Sequence, residues 1–182
     1  MTRQQLAHLL RSACAIARDA DVLVLGSQSI LGSFDEEDLP PEATASQEAD
    51  IAFLDDPGRN KADEVEGAIG EMSTFHEENG IYAEGVHIDV ATLPEGWKDR
   101  LVSWELQSSK PADPHFLDPY DLAVSKLAAG RQKDLDFVLA LIRGCLLDVA
   151  EIRERAALLP TGTDPVIRER IEAWLNYHCS KK

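Results

Sequence analysis

The chain has 182 residues, 44% of them hydrophobic and 28% charged, which suits one well-packed domain with room for a helical extension. Its 33 acidic against 18 basic residues give a formal net charge of -15. A surface of that sign repels nucleic acid at long range and favours a small molecule or a protein partner, although a local basic groove could override the mean field. The three cysteines, Cys14, Cys145 and Cys179, are far apart and odd in number, so reduced thiols are the simplest account; Cys14 and Cys145 read as packing residues. The N-terminus lacks the apolar core of a signal peptide and no apolar run approaches a membrane span. The expectation is a soluble, cytoplasmic protein with no membrane contact.

Leu6, Leu9, Leu10, Ala13, Ile16 and Ala17 recur at helical spacing, so an amphipathic helix is expected over roughly the first eighteen residues. Asp19 and Asp21 close it before Val22 to Leu25, a buried strand. Ser27 to Leu31 reads as a short helix. Phe34 to Gln47 reads as a polar loop whose acidic run, Asp35 to Asp38, is a solvated face. Glu48 to Leu54 is the second strand, stopped by Asp55-Asp56-Pro57-Gly58. Lys61 to Met72 is helical. Ile81 to Thr92 alternates as one strand or as a hairpin broken near Glu84-Gly85, and Leu101 to Leu106 is a further short strand. Beyond Asp113-Pro114 the character changes. Helices are expected over 119–129, 131–143, 148–158 and 164–178, with Asp118-Pro119 and Asp164-Pro165 as starts and Gly130 and Gly144 as breaks. The plan is a small mixed sheet flanked by helices, α/β or α+β, with a core over residues 1–115 and a helical region over 116–182 packed upon it.

Three constellations could carry chemistry. At Gly26-Ser27, a strand opens a helix, and glycine lets a phosphate approach backbone N–H groups while the Ser27 hydroxyl donates; a plain turn is the alternative. Glu48 and Asp50 share one strand face and could share a divalent cation; on a solvent-facing edge they would merely solubilise. Asp89, in His87-Ile88-Asp89-Val90, is the candidate third carboxylate, as metal ligand or general base, or else an ordinary strand-face acid. His87 reads as structural. Finally, Lys126, Arg131 and Lys133 form a basic cluster beside an apolar helix and could clamp a triphosphate. Equally, they could pair with Asp121, Asp134 and Asp136 to lock two helices together. Neither P-loop nor Rossmann spacing occurs. Trp97, Trp104 and Trp174 read as packing anchors.

Gly26-Ser27, Ser46-Gln47-Glu48-Ala49-Asp50-Ile51, Leu93-Pro94-Glu95-Gly96-Trp97-Lys98-Asp99-Arg100-Leu101, and the segment from Asp118-Pro119 through Ser125-Lys126-Leu127 and Gly130-Arg131 to Lys133-Asp134 resemble the bacterial DUF6036 nucleotidyltransferase-like proteins. That group is similar to AbiEii-type toxins and, more distantly, to the DNA polymerase β nucleotidyltransferase superfamily. The resemblance covers roughly residues 5 to 150. It implies a minimal nucleotidyltransferase fold in which Gly26 and Ser27 bind phosphates and Glu48 and Asp50 hold Mg2+ (or Mn2+). Lys126 and Arg131 would contact the triphosphate, and Asp134 would orient one of them. The implied reaction moves a nucleoside monophosphate from a nucleoside triphosphate to a hydroxyl of a protein, an RNA or a small molecule, within a toxin–antitoxin or defence module. Glu48 stands where the superfamily usually has the first Asp of a D-x-D pair. A non-catalytic module of the same fold, serving as antitoxin or scaffold for a basic protein partner, is the rival reading, and the net charge favours it modestly.

Overall fold

In a computed structural model, residues 1–104 and 106–179 are described. Helix α1 (Arg3–Ala17) begins with a capping box in which the Gln5 N–H donates to Thr2 Oγ1 at 3.1 Å and the Thr2 N–H donates to Gln5 Oε1 at 2.9 Å. Its Leu6, Leu9, Leu10 and Ala13 are fully buried, as the 3.6-residue spacing demands. Strand β1 (Asp21–Val24) follows, then a 3-10 turn over Ser27–Gly32. The polar loop after it contains a four-residue helix, α2 (Pro41–Thr44), which the reading of 34–47 as plain loop missed. Pro41 at the first helical position supplies a pre-set φ there.

Next come β2 (Glu48–Phe53), α3 (Asn60–Ile69), α4 (Thr74–Asn79) and β3 (Tyr82–Gly85). The strand expected to run to Thr92 stops at Gly85. A Cβ on Gly85 would lie 2.1 Å from the Ala62 carbonyl oxygen, so α3 packs hard against the end of β3, and the chain then enters a single 3-10 turn over Ile88–Val90. Strand β4 (Val102–Ser103) is shorter than its hydropathy suggested, and Glu105, part of that expected strand, lies outside the described residues.

Strand β5 (Asp113–Phe116) was not anticipated, because Pro114 removes a ladder donor. Proline is tolerated there because β4 pairs only with His115 and Phe116 and stops before Pro114. The sheet has the order β3-β2-β1-β5-β4. β1 runs antiparallel to β2 and parallel to β5, β2 runs parallel to β3, and β4 runs antiparallel to β5. This is the small α/β fold with a mixed sheet that the sequence implied.

Helices α5 (Pro119–Ala129), α6 (Gln132–Arg143), α7 (Val149–Ala157) and α8 (Pro165–Cys179) complete the chain close to their expected bounds. Asp118 caps α5 by accepting from the Tyr120 N–H at 3.0 Å, and Gly130 ends it with φ 69°, a left-handed conformation that glycine adopts without strain. The break turns the chain so that the last turn of α5 faces the first turn of α6. Trp104 is buried, 4.5 Å from the Phe116 ring between centroids, and its Nε1 donates to the Leu31 carbonyl at 3.1 Å. Trp97 and Trp174 are half-buried against the same core. Cys14 is buried as expected, but Cys145 is exposed. It follows Gly144 at the end of α6 with φ 57°, where the chain has already left the helix whose apolar face it was assigned to. None of the described helices is long and apolar enough to cross a membrane.

Candidate active site

Parallel pairing of β2 with β3 sets Glu48 opposite Tyr82 and Asp50 opposite Glu84. Because side chains alternate along a strand, Glu48, Asp50, Tyr82 and Glu84 form a block of four on one face. One carboxylate oxygen from each of Glu48, Asp50 and Glu84 lies within 4.8 Å of the others. The Tyr82 hydroxyl donates to Glu48 Oε2 at 3.1 Å.

Asp50 is further constrained by the end of β1. The Leu25 N–H donates to the Asp50 carbonyl at 3.0 Å, and the next residue, Gly26, lies directly beneath the Asp50 carboxylate. A Cβ on Gly26 would sit 1.4 Å from Asp50 Oδ2. Any side chain at position 26 would therefore evict the carboxylate. This is a sharper reason for glycine than the close phosphate approach read from the sequence.

Like charges at this spacing resist ionisation. Burial, followed by the Glu48 charge, raises the Asp50 pKa, and Lys126, Lys133 and Arg131 pull it partly back. Burial and the hydrogen bond and charge of Glu48 push Glu84 up to about 7. Burial and the bond to Glu48 likewise push the Tyr82 phenol up to about 12. A divalent cation would relieve this repulsion, and an all-oxygen carboxylate set is what hard cations such as Mg2+ take.

Asp89 stands apart from this group. With the strand ended at Gly85, it lies in the 88–90 turn with its side chain 87% exposed and its carboxylate 3.1 Å from His87 Nδ1. The third carboxylate that meets Glu48 and Asp50 is Glu84, which the sequence reading passed over. The signal was available in Tyr82-Ala83-Glu84-Gly85, where an acid precedes a strand-ending glycine; what was missing was the pairing partner of that strand.

The opposite wall comes from the α5–α6 junction. Asp134, 1% exposed, receives Lys126 Nζ at 3.1 Å and Arg131 Nε at 2.6 Å. Burial works against its ionisation, but the bonds from Arg131 and Lys126 win and hold its pKa below the usual carboxylate range. Lys126 is itself buried and its ammonium lies 5.6 Å from the Phe137 ring centroid. The Arg131 side chain remains 62% exposed, and Lys133 is exposed.

The helix-locking alternative is thus met in part: Asp134 does join the two helices. Asp121, however, accepts from Arg100 Nε and Nη2 at 2.9 Å each and pairs with Arg155 at 2.9 Å, while Asp136 accepts from Gln132.

The two walls enclose a cleft in two compartments. The larger, about 700 Å3, is lined by Ser27, Glu48, Asp50, Glu84, Lys126, Arg131, Lys133 and Asp134. The smaller, about 130 Å3, is lined mostly by apolar residues including Leu25, Val86 and Leu122, and it meets the larger at Asp50, Lys126 and Arg131. Of the phosphate- and metal-binding candidates read from the sequence, Gly26, Ser27, Glu48, Asp50, Lys126, Arg131, Lys133 and Asp134 line one or both compartments, and Asp89 lines neither.

These features define a small α/β protein with a charged cleft at an end of its sheet. The sequence is more particular: residues 4–161 match the family DUF6036, described as a nucleotidyltransferase of unknown function. The chain belongs to that family. No curated protein and no solved structure matches it.

Proposed function

We propose that the protein moves a nucleoside monophosphate from a nucleoside triphosphate to a hydroxyl acceptor on a protein, an RNA or a small molecule. The acceptor oxygen bonds to the α-phosphorus, the bond from that phosphorus to the β-phosphate bridging oxygen breaks, and pyrophosphate leaves. The observation that carries this reading is the convergence of Glu48, Asp50 and Glu84 within 4.8 Å in a cleft whose other wall carries Lys126, Arg131 and Lys133, in a chain of a nucleotidyltransferase family.

Glu48, Asp50 and Glu84 would hold Mg2+ (or Mn2+), with Glu84 in the place assigned to Asp89 from the sequence. When bound, the cation neutralises phosphate charge and orients the reacting groups. Lys126, Arg131 and Lys133 bind the phosphate chain, and Asp134 fixes the directions of Lys126 and Arg131. Gly26 keeps Asp50 in place, and Ser27 offers its hydroxyl to a phosphate oxygen. Glu84, the trio member on β3, offers its carboxylate beside the cation to take the acceptor's proton. Catalysis by such a site is mainly positioning and electrostatic stabilisation.

Calorimetric titration with nucleoside triphosphates in Mg2+ tests the reading. Binding by the wild type that is lost in Glu48→Ala/Asp50→Ala is expected; absent binding, or binding unchanged in that variant, would overturn it.

A second reading, a non-catalytic module for a basic protein partner, is favoured by the net charge of -15. A toxin–antitoxin or defence setting suits either. Stoichiometric co-purification of a basic partner, together with no transfer of labelled nucleotide, would select the second.

A further inference from the structure

Glu48 carries one more methylene than its strand neighbour Asp50, and the extra torsion gives an unrestrained carboxylate more conformations to lose when it binds a cation. Tyr82 answers that problem. Its register partner is Glu48, and its hydroxyl donates to Glu48 Oε2 at 3.1 Å. We propose that Tyr82 is a positioning residue of the cation site, acting through Glu48. The proposal rests on the reading of the carboxylate trio as a cation site.

The choice of side chain fits the role. A phenol is a neutral donor, so it restrains the carboxylate without opposing a cation; a Lys or Arg there would compete with the metal, and a Phe would leave Glu48 loose. One hydrogen bond to Oε2 also leaves the carboxylate with further lone pairs for a metal. Carboxylate ligands are commonly oriented by such outer hydrogen bonds.

The ring is itself held in place. His76, on α4, packs against Tyr82 with ring centroids 4.7 Å apart. His76 is tied from both ends: its N–H donates to Ser73 Oγ at 3.1 Å, and its Nδ1 accepts from the Met72 N–H at 3.1 Å. Short helix α4 thus buttresses Tyr82, and Tyr82 orients Glu48.

The test measures Mn2+ binding by calorimetry, without nucleotide, in wild type, Tyr82→Phe, Glu48→Asp and the double variant. Tyr82→Phe is expected to weaken Mn2+ by roughly tenfold. In the Glu48→Asp background the shorter carboxylate no longer reaches the phenol, so the same change should cost less than about twofold, giving a clear coupling energy. His76→Leu, which keeps the hydroxyl but withdraws the supporting ring, should weaken Mn2+ by a smaller factor and covers the case in which Tyr82→Phe misfolds.

If wild type binds Mn2+ and Tyr82→Phe binds within twofold of it, the proposal is wrong while the cation site stands. An equal loss in both backgrounds also overturns it, since the effect then bypasses Glu48. If wild type itself binds no Mn2+, the cation-site reading fails and takes the proposal with it.

Discussion

Asp118 and Asp121, at the start of α5, meet Arg100 and Arg155; Glu48, Asp50 and Glu84, on β2 and β3, meet one another. Both groups are carboxylates drawn together by the fold, yet their surroundings differ in sign. Asp121 is fully buried and held by two nitrogens of Arg100 and one of Arg155, all at 2.9 Å, and Arg155 also reaches Asp118 at 2.9 Å. Each negative charge there has a cation in contact, and the network ties the 97–100 turn and α7 to α5. In the trio, the described contacts of Glu48 and Glu84 are one phenol and other carboxylates. The compensated group is a structural lock, whereas the trio, only partly offset by Lys126, Lys133 and Arg131 across the cleft, stores repulsion that a cation can relieve. Strain of this kind belongs at a binding site rather than in a core.

Breaking the lock should produce the largest change. Asp121→Ala leaves Arg100 and Arg155 without their buried partner, and a loss of about 3–5 kcal/mol of stability is expected in urea unfolding. A loss below about 1 kcal/mol would show that the network is not a lock. The opposite is expected at the trio. Asp50→Asn should leave the metal-free protein at least as stable as wild type, while the Mg2+-dependent affinity for nucleoside triphosphate falls by at least about a hundredfold, about 2.7 kcal/mol. Parallel unfolding and calorimetric curves check both halves.

A pH dependence follows from Glu84. Its proton affinity rises from the ordinary 4.5 to about 7 in the folded chain, so between those values the folded state holds more protons than the unfolded one. This contribution to stability is complete below the unfolded pKa and is lost as pH rises through about 7. In EDTA, Glu84→Gln should therefore gain thermal stability over wild type as pH is raised from about 5 to about 8. A constant difference across that range would contradict the assignment. The smallest effect belongs to the exposed cation: Lys133→Ala should weaken triphosphate binding only about threefold, and less at high salt.

How much of this was legible in the sequence depended on how local the determining forces were. Helices α5 to α8 carry their start and stop signals within a few residues, as Asp118-Pro119 and Gly130 illustrate, and were read close to their bounds. The Gly26, Glu48 and Asp50 elements were legible for the same reason. Strand β5 was not, because Pro114 is acceptable only where β4 ends early, and β4 is remote from it in sequence. The choice between Glu84 and Asp89 also turned on a tertiary fact, the packing of α3 against Gly85 that ends β3. The partners of Asp121 could not be read because Arg100 and Arg155 lie on other elements. Helix α4, capped by Ser73, had a local signal that was overlooked.

The identity of the third carboxylate is the point at which structure and sequence reading part, and Mn2+ titration of Glu84→Gln beside Asp89→Asn decides it most directly. A Mn2+ affinity reduced about tenfold or more in Glu84→Gln and unchanged in Asp89→Asn is expected. Weaker binding in Asp89→Asn with full affinity in Glu84→Gln would contradict the site as built here from β2 and β3.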